Sequence, residues 1–212
     1  MSHCTEHAEA HGRFSATCLG PADPLDGQRI VAYVAANPEL AGHPSPNVEA
    51  ARILGIELVE RWASDEPNTV LTAGKNLALD TFLAGSAYTV VGPYMGLISS
   101  ASYSAIAAAD TTASHAGWLE AGNANAPTYT APRKTCAWSA AAAGSKALSA
   151  ALSFAITGTG TVKGAFLSYG TGAVSTIDDV THGTLYSAGL FGTGDRAVLS
   201  GDTLNVSWTG SM

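Results

Sequence analysis

The sequence predicts a mainly β protein, an antiparallel β-sandwich of jelly-roll type with one short packed helix and a helical N-terminal insertion. Three observations predict it. From Gly85 onward apolar residues recur at every second position, the period of a strand with one covered face. Glycine-containing breaks separate these runs every dozen residues or so. Only 13% of the 212 residues are Asp, Glu, Lys or Arg. Ala, Gly, Ser and Thr take their place, which suits strands whose surfaces are partly covered by neighbours.

Taken in order, residues 1–20 read as an N-terminal arm and a first strand. HGRFSATCLG, 11–20, places Phe14 and Ala16 on one face and Ser15 and Thr17 on the other. Residues 21–66 change in texture, with five of the nine prolines falling between Pro21 and Pro46. Within them GQRIVAYVAAN and NVEAARILGIELVERW carry helical patterns, separated by the joint GHPSPN. Asn47 is placed to cap the second helix, with Ala50, Ile53, Leu54 and Leu58 recurring near helical spacing. Ile56 to Trp62 fits a strand equally well. This block reads as a helical, Pro-rich insertion, and 67–212 as the β-sandwich domain.

At the start of that domain Leu79, Phe82 and Leu83 share one helical face, and Gly85 is placed to end the helix. Alternation then takes over: Cys136 with Trp138; Leu152, Phe154 and Ile156; Leu204, Val206 and Trp208. Breaks fall at GTGT (158–161), SYGTGA (168–173), HGT (182–184), GTGD (192–195) and SGD (200–202). Each is rich in residues that turn a chain.

A formal net charge of −7 argues against nucleic acid as a partner, because phosphate binding needs a basic face. Arg133-Lys134 is the only adjacent basic pair. No apolar run reaches the length of about 18 residues that spans a bilayer, so no membrane association is expected. Gly144, Ser145 and Lys146 interrupt the Ala-rich stretch 137–156. The polar start MSHCTEHAEAHG lacks the apolar core of a signal peptide. Cys4, Cys18 and Cys136 are odd in number and irregularly spaced, the pattern of reduced thiols in a protein made in cytoplasm.

Candidate chemistry is sparse. His3, Cys4, His7 and His11 crowd the N-terminus, and His7 and His11 at i, i+4 on a helix can hold zinc. The glutamate that makes such a helix catalytic is replaced by Ala8, and a solvated terminal segment is the simpler reading. Asp178-Asp179 and Asp110 are candidate calcium ligands without the spacing of a known loop. His115 and His182 stand in loops with no partner carboxylate nearby in sequence. No Gly-x-Ser-x-Gly elbow follows a strand, and GTGTVKG lacks the lysine-serine pair of a phosphate loop. Trp138 and Trp208 read as core, whereas Trp118 is open to either a core or a contact role. No catalytic residue, metal or cofactor is expected.

The stretch GKNLALDTFLAGSAYTVVGPYMGLIS (74–99) resembles tailed-phage and prophage virion proteins. So do TTASHAGWLEA (111–121), the strands around SAAAAGSKALSAALSF (139–154), TVKGAFLSYG (161–170), GTLYSAGLF (183–191) and SGDTLNVSW (200–208). The resemblance covers about 69–209 plus HGRF at 11–14, and segment 21–61 departs from it. It implies a non-enzymatic component of the virion, made in the bacterial cytoplasm. Two roles follow. A capsid decoration or cement protein would bind the major capsid protein and its own copies as a homo-oligomer, a trimer fitting the shell's local threefold points. A tail or fibre protein would touch the host receptor through exposed aromatics such as Tyr103, Trp118 and Tyr129. The insertion's Ile30, Tyr33, Val34, Leu54 and Leu58 are expected to present apolar helix faces to a neighbour, because a short helix pair cannot bury itself alone. The 1–12 arm is expected to tether an adjacent subunit.

Overall fold

The computed structural model describes residues 11–83 and 91–211. Its strands are β1 (His11–Pro21), β2 (Leu58–Val70), β3 (Tyr94–Ser99), β4 (Glu120–Ala121), β5 (Lys134–Thr135) and β6 (Ser145–Ala147). They continue with β7 (Leu152–Ala155), β8 (Gly160–Tyr169), β9 (Thr184–Leu190), β10 (Arg196–Val198) and β11 (Thr203–Ser211). Among the described residues they form one eleven-stranded sheet in the order β4-β3-β8-β9-β2-β1-β11-β6, with β10 on β8, β5 on β3 and β7 on β11. Every strand pairing is antiparallel. The mainly β antiparallel fold is therefore the one that forms.

Alternation determines which side chains enter the core. Phe14, Ala16 and Cys18 of β1 are buried, as are Leu204, Val206 and Trp208 of β11, while Ser15, Thr17, Asn205 and Ser207 on the other face stay partly exposed. These residues share one cluster with Met95 and Leu97 of β3 and Val162 and Leu167 of β8. Strands far apart in the pairing order thus meet through their side chains, so the sheet curls until its halves face each other. The opposite face of β3, β8 and β9 carries a second cluster. Ile98, Phe166, Leu185 and Ala188 pack there against Leu71 and against Trp118 from the long connection 100–119.

The N-terminal helices form a third, self-contained cluster. Helix α1 (Pro24–Ala36) starts where the Asp23 carboxylate accepts from the Leu25 amide at 2.8 Å, with Pro24 in the first turn. Helix α2 (Pro46–Leu54) stops at Gly55, whose φ of 69° is a left-handed cap. Ile30, Leu40, Ala50 and Ala51 are buried between them, with Tyr33, Val34, Leu54, Ile56 and Leu58 packed around. Of the expected partner face, Ile30 is withdrawn into this core. Ile30 is fully buried, and Tyr33, Val34, Leu54 and Leu58 are half-buried within the unit. The pair is not left unburied, because the 3-10 turn Pro38–Gly42 and the start of β2 close it.

Two boundaries also differ from expectation. The insertion read as 21–66 ends earlier, since Leu58–Val70 is strand β2 and Ile56 to Trp62 falls mostly in it. Ser45, not Asn47, precedes the first turn of α2. Asn47 is instead buried, and its Nδ2 donates to the carbonyls of Ile156 (3.2 Å) and Asp202 (2.8 Å), tying α2 to the sheet. At α1, a Cβ on Gly27 would lie 2.2 Å from the Ser200 carbonyl oxygen, so helix and turn touch backbone to backbone.

Helix α3 (Thr72–Leu83) forms where helical spacing predicts it. Gly74 lets it rest on β9, since a Cβ there would lie 2.3 Å from the Tyr186 carbonyl oxygen. Leu79, expected on the packed face, is 55% exposed. The side chains of Phe82 and Leu83, the stop at Gly85, and the arm with His3, Cys4 and His7 lie outside the described residues.

Candidate functional site

The densest polar chemistry lies at one end of the second cluster. β4 presents Glu120 and the start of the β5 segment presents Arg133, both buried. Arg133 Nε donates to Glu120 Oε1 at 2.8 Å and one terminal nitrogen to Oε2 at 2.6 Å, a two-pronged pair. The same guanidinium donates to the carbonyls of Val174 and Asp179 and lies 5.3 Å over the Phe166 ring. Glu120 also accepts from the Asp178 amide at 2.8 Å. Burial pushes the Glu120 carboxyl above its ordinary range, and the guanidinium opposes that rise.

Of the expected contact residues Trp118 lies at this end, near the candidate carboxylates Asp110 and Asp179, whereas Ile30, Tyr33, Val34, Leu54 and Leu58 lie in the helical unit. Trp118 is buried, stacked on His115 with ring centroids 4.1 Å apart, and its Nε1 donates to Asp110 Oδ2 at 2.9 Å. The contact role expected for Trp118 is thus corrected: its indole is a core group with its one polar atom satisfied. Asp110 also accepts from the Ala107 amide, closing its own turn. Asp178 and Asp179 diverge. The first accepts from the Ala124 amide, and the second binds the ring of His182 at 2.7 Å and accepts from the amides of Thr181 and His182. His182, expected to lack a carboxylate nearby in sequence, thus has one three residues back. Burial works to raise the Asp179 carboxyl, but the hydrogen bonds from His182 and Thr181 hold it down at about 2.

Chemically, the arrangement is a clasp. Arg133 and Glu120 join the 120–133 segment to the 174–182 loop, and the cavity between them, about 10 Å³, has room for no more than about one water molecule. Among the described residues, no group of three or more His, Cys, Asp or Glu can hold a metal ion. The calcium reading of Asp110, Asp178 and Asp179 is replaced by separate roles: Asp110 and Asp179 cap their own turns, and Asp178 ties its loop to the Ala124 amide. His11, weighed above as a zinc ligand on a helix and as part of a solvated terminal segment, is the first residue of β1 and lies opposite Ser211.

A second polar group sits under the helical unit. Asp202 is fully buried, lies 2.8 Å from Arg61 Nε, and accepts from the Leu199 amide and the Cys18 thiol. Cys18 and Cys136 are free and buried. Burial raises both thiols, Cys136 to about 12, so neither is poised as a nucleophile. Of the aromatics assigned to receptor contact, Tyr129 is 3% exposed and Trp118 1%. Tyr103 is half-buried beside an open groove of about 420 Å³ that Glu66, Pro67, Thr69, Ile106 and Gly192 also line.

Sequence reasoning missed the Arg133–Glu120 and Arg61–Asp202 pairs. Arg61 and Asp202 lie 141 residues apart, Glu120 and Arg133 are 13 apart across an irregular loop, and a lone charge in a polar stretch carries no sign of burial. The chain matches no protein-family model, no curated protein and no solved structure. Among the described residues no helix is long and apolar enough to cross a membrane. The fold and site define a mainly β antiparallel protein whose polar clusters clamp loops and helices to a sheet.

Proposed function

We propose that the protein is a non-enzymatic component of a tailed-phage virion, a decoration protein that binds the major capsid protein and stabilises the shell. It assembles with its own copies, a trimer being the state that fits local threefold points.

One observation carries this reading. The stretches that resemble virion proteins coincide with the framework: α3, β3, β8, β9, β11 and the 111–121 segment across the outer face. The likeness is therefore one of architecture, as suits a protein whose function is shape and contact. The ionised groups of the buried clusters are consumed in structural pairs, which leaves surface for association. The helical unit and the start of β2 expose Leu25 (63%), Ile53 (45%) and Val59 (41%), apolar residues available to a neighbour. With Trp118 and Tyr129 buried, the receptor-binding alternative loses two of the three aromatics it invoked.

The test is the number of copies per purified particle, relative to the major capsid protein, by quantitative mass spectrometry. A simple integral fraction of the capsid subunits establishes shell-wide decoration. A handful of copies overturns it and moves the protein to the neck, tail or fibre.

A further inference from the structure

β2 lies inside the strand order, yet most of it has a partner on one side only. Along 58–68 it pairs with β1, whereas its pairing with β9 covers only 68–70. Beyond Gly189 the chain leaves β2, since Phe191 bonds to Lys163 and β10 pairs with β8. Among the described residues, the edge of β2 from Leu58 to Pro67 that faces away from β1 has no strand beside it. From Trp62 to Pro67 the residues along it alternate between half-buried and exposed, and the 420 Å³ groove opens at its Glu66–Pro67 end.

The register says which backbone groups this edge offers. Leu71 N–H donates to Tyr186 O, so from Ala63 onward the odd-numbered residues of β2 turn their polar groups away from β1; below Ala63 an extra residue, Arg61, shifts the register. Thr69 spends its own in the β9 pairing, and Ala63, Asp65 and Pro67 follow at the same phase. Pro67 has no N–H to lose, as suits an open edge. The Asp65 carbonyl is taken by Arg13. This leaves the Ala63 N–H and C=O, the Asp65 N–H and the Pro67 C=O for an incoming strand.

Charge selects the occupant. Arg61 is held by Asp202 and Asp65 by Arg13, while Glu57, Glu60 and Glu66 make no ion pair among the described residues. A second copy of this chain is disfavoured, because it would bring the same unpaired carboxylates, Glu57, Glu60 and Glu66, up to this edge, like charge against like. We propose that the open edge of β2, residues 58–67, binds an extended Lys- or Arg-bearing segment of a partner protein as an added antiparallel strand. Backbone hydrogen bonds give the attachment, and the three carboxylates select the basic partner. The proposal stands independently of the virion reading.

The test uses the full chain and two labelled eight-residue peptides, one alternating Lys with Val and Thr, the other with Glu in place of Lys. Fluorescence anisotropy is expected to show binding of the basic peptide only, weakening about tenfold or more as NaCl rises from about 50 to about 500 mM. Hydrogen exchange of the Ala63 and Asp65 amides is expected to slow in the complex. Ala63→Pro removes an edge donor without touching the β1 pairing and is expected to cut binding at least tenfold. A Glu60→Lys/Glu66→Lys variant, whose changes are on the surface, is expected to switch preference to the acidic peptide. Equal binding of both peptides, binding of neither, or a dimer that Ala63→Pro dissociates would overturn the proposal.

Discussion

Glu120 and Arg133 are 5% and 3% exposed, and at that depth an ion pair answers to two opposing effects. Desolvation costs each ion several kcal/mol, and the two-pronged contact with its added hydrogen bonds recovers most of it. Removing one partner is therefore worse than removing both. Arg133→Met or Glu120→Leu alone is expected to cost about 3–5 kcal/mol, since each strands a buried charge. The double variant is expected to be more stable than either single one, measured by urea unfolding. Additive losses would show that the two residues act separately and that the clasp is incidental. Residues of this kind were the least legible in the sequence. Phe14, Phe154 and Trp208 announced themselves by alternation, because apolar burial leaves a period. Glu120 and Arg133 left none, since what buries a charge is a partner brought in by tertiary structure. Trp118 fell between, being apolar but in a loop without a period.

At the level of elements, the strands with clean alternation, β1 and β11, appeared where the sequence placed them, while shorter ones such as β4 and β5 did not stand out. A two-residue strand is too short for a pattern and exists because β3 offers it an edge. Asn47 shows the same limit from the other side. Its type and position suited a helix cap, but the site across α2 from Ile156 and Asp202 claimed its amide. Asn47→Ala is expected to lower stability by about 1–2 kcal/mol, because two hydrogen bonds are lost, although the Gly201 and Ile156 amides still serve the same carbonyls. Asn47→Asp should cost at least as much, having no N–H to give. Ser45→Ala, at the conventional cap position, is expected to change little, since Ser45 makes no side-chain cap hydrogen bond. Thermal unfolding of the three variants ranks these contributions. A larger loss at Ser45 than at Asn47 would show the helix start, not the docking, to be the weak point.

Across the whole molecule, the helical unit is an excursion from a hairpin. β1 and β2 pair antiparallel, and Pro21 lies opposite Leu58, so the chain leaves the sheet and returns at neighbouring points. The intervening residues have their own core in Ile30, Leu40, Ala50 and Ala51 and meet the sheet at few places, Asn47 and Gly27 among them. Chain length in such a loop carries little weight, because closure entropy grows only logarithmically with the number of residues. Replacing residues 22–57 with Asn-Gly, the turn that suits a two-residue hairpin, is therefore expected to leave a folded sheet with one cooperative transition. Its melting temperature should fall, since Asp202 and Ile156 lose their cover and Leu58 its packing. Circular dichroism should lose helical signal and keep the β signal. If the shortened chain does not fold, the unit is part of the sheet's own nucleus, and the Arg61–Asp202 pair beneath it becomes the next contact to probe. If it folds, the sheet is self-sufficient and the helices are an added surface. The peptide-binding edge of β2 can then be measured with and without that surface in place.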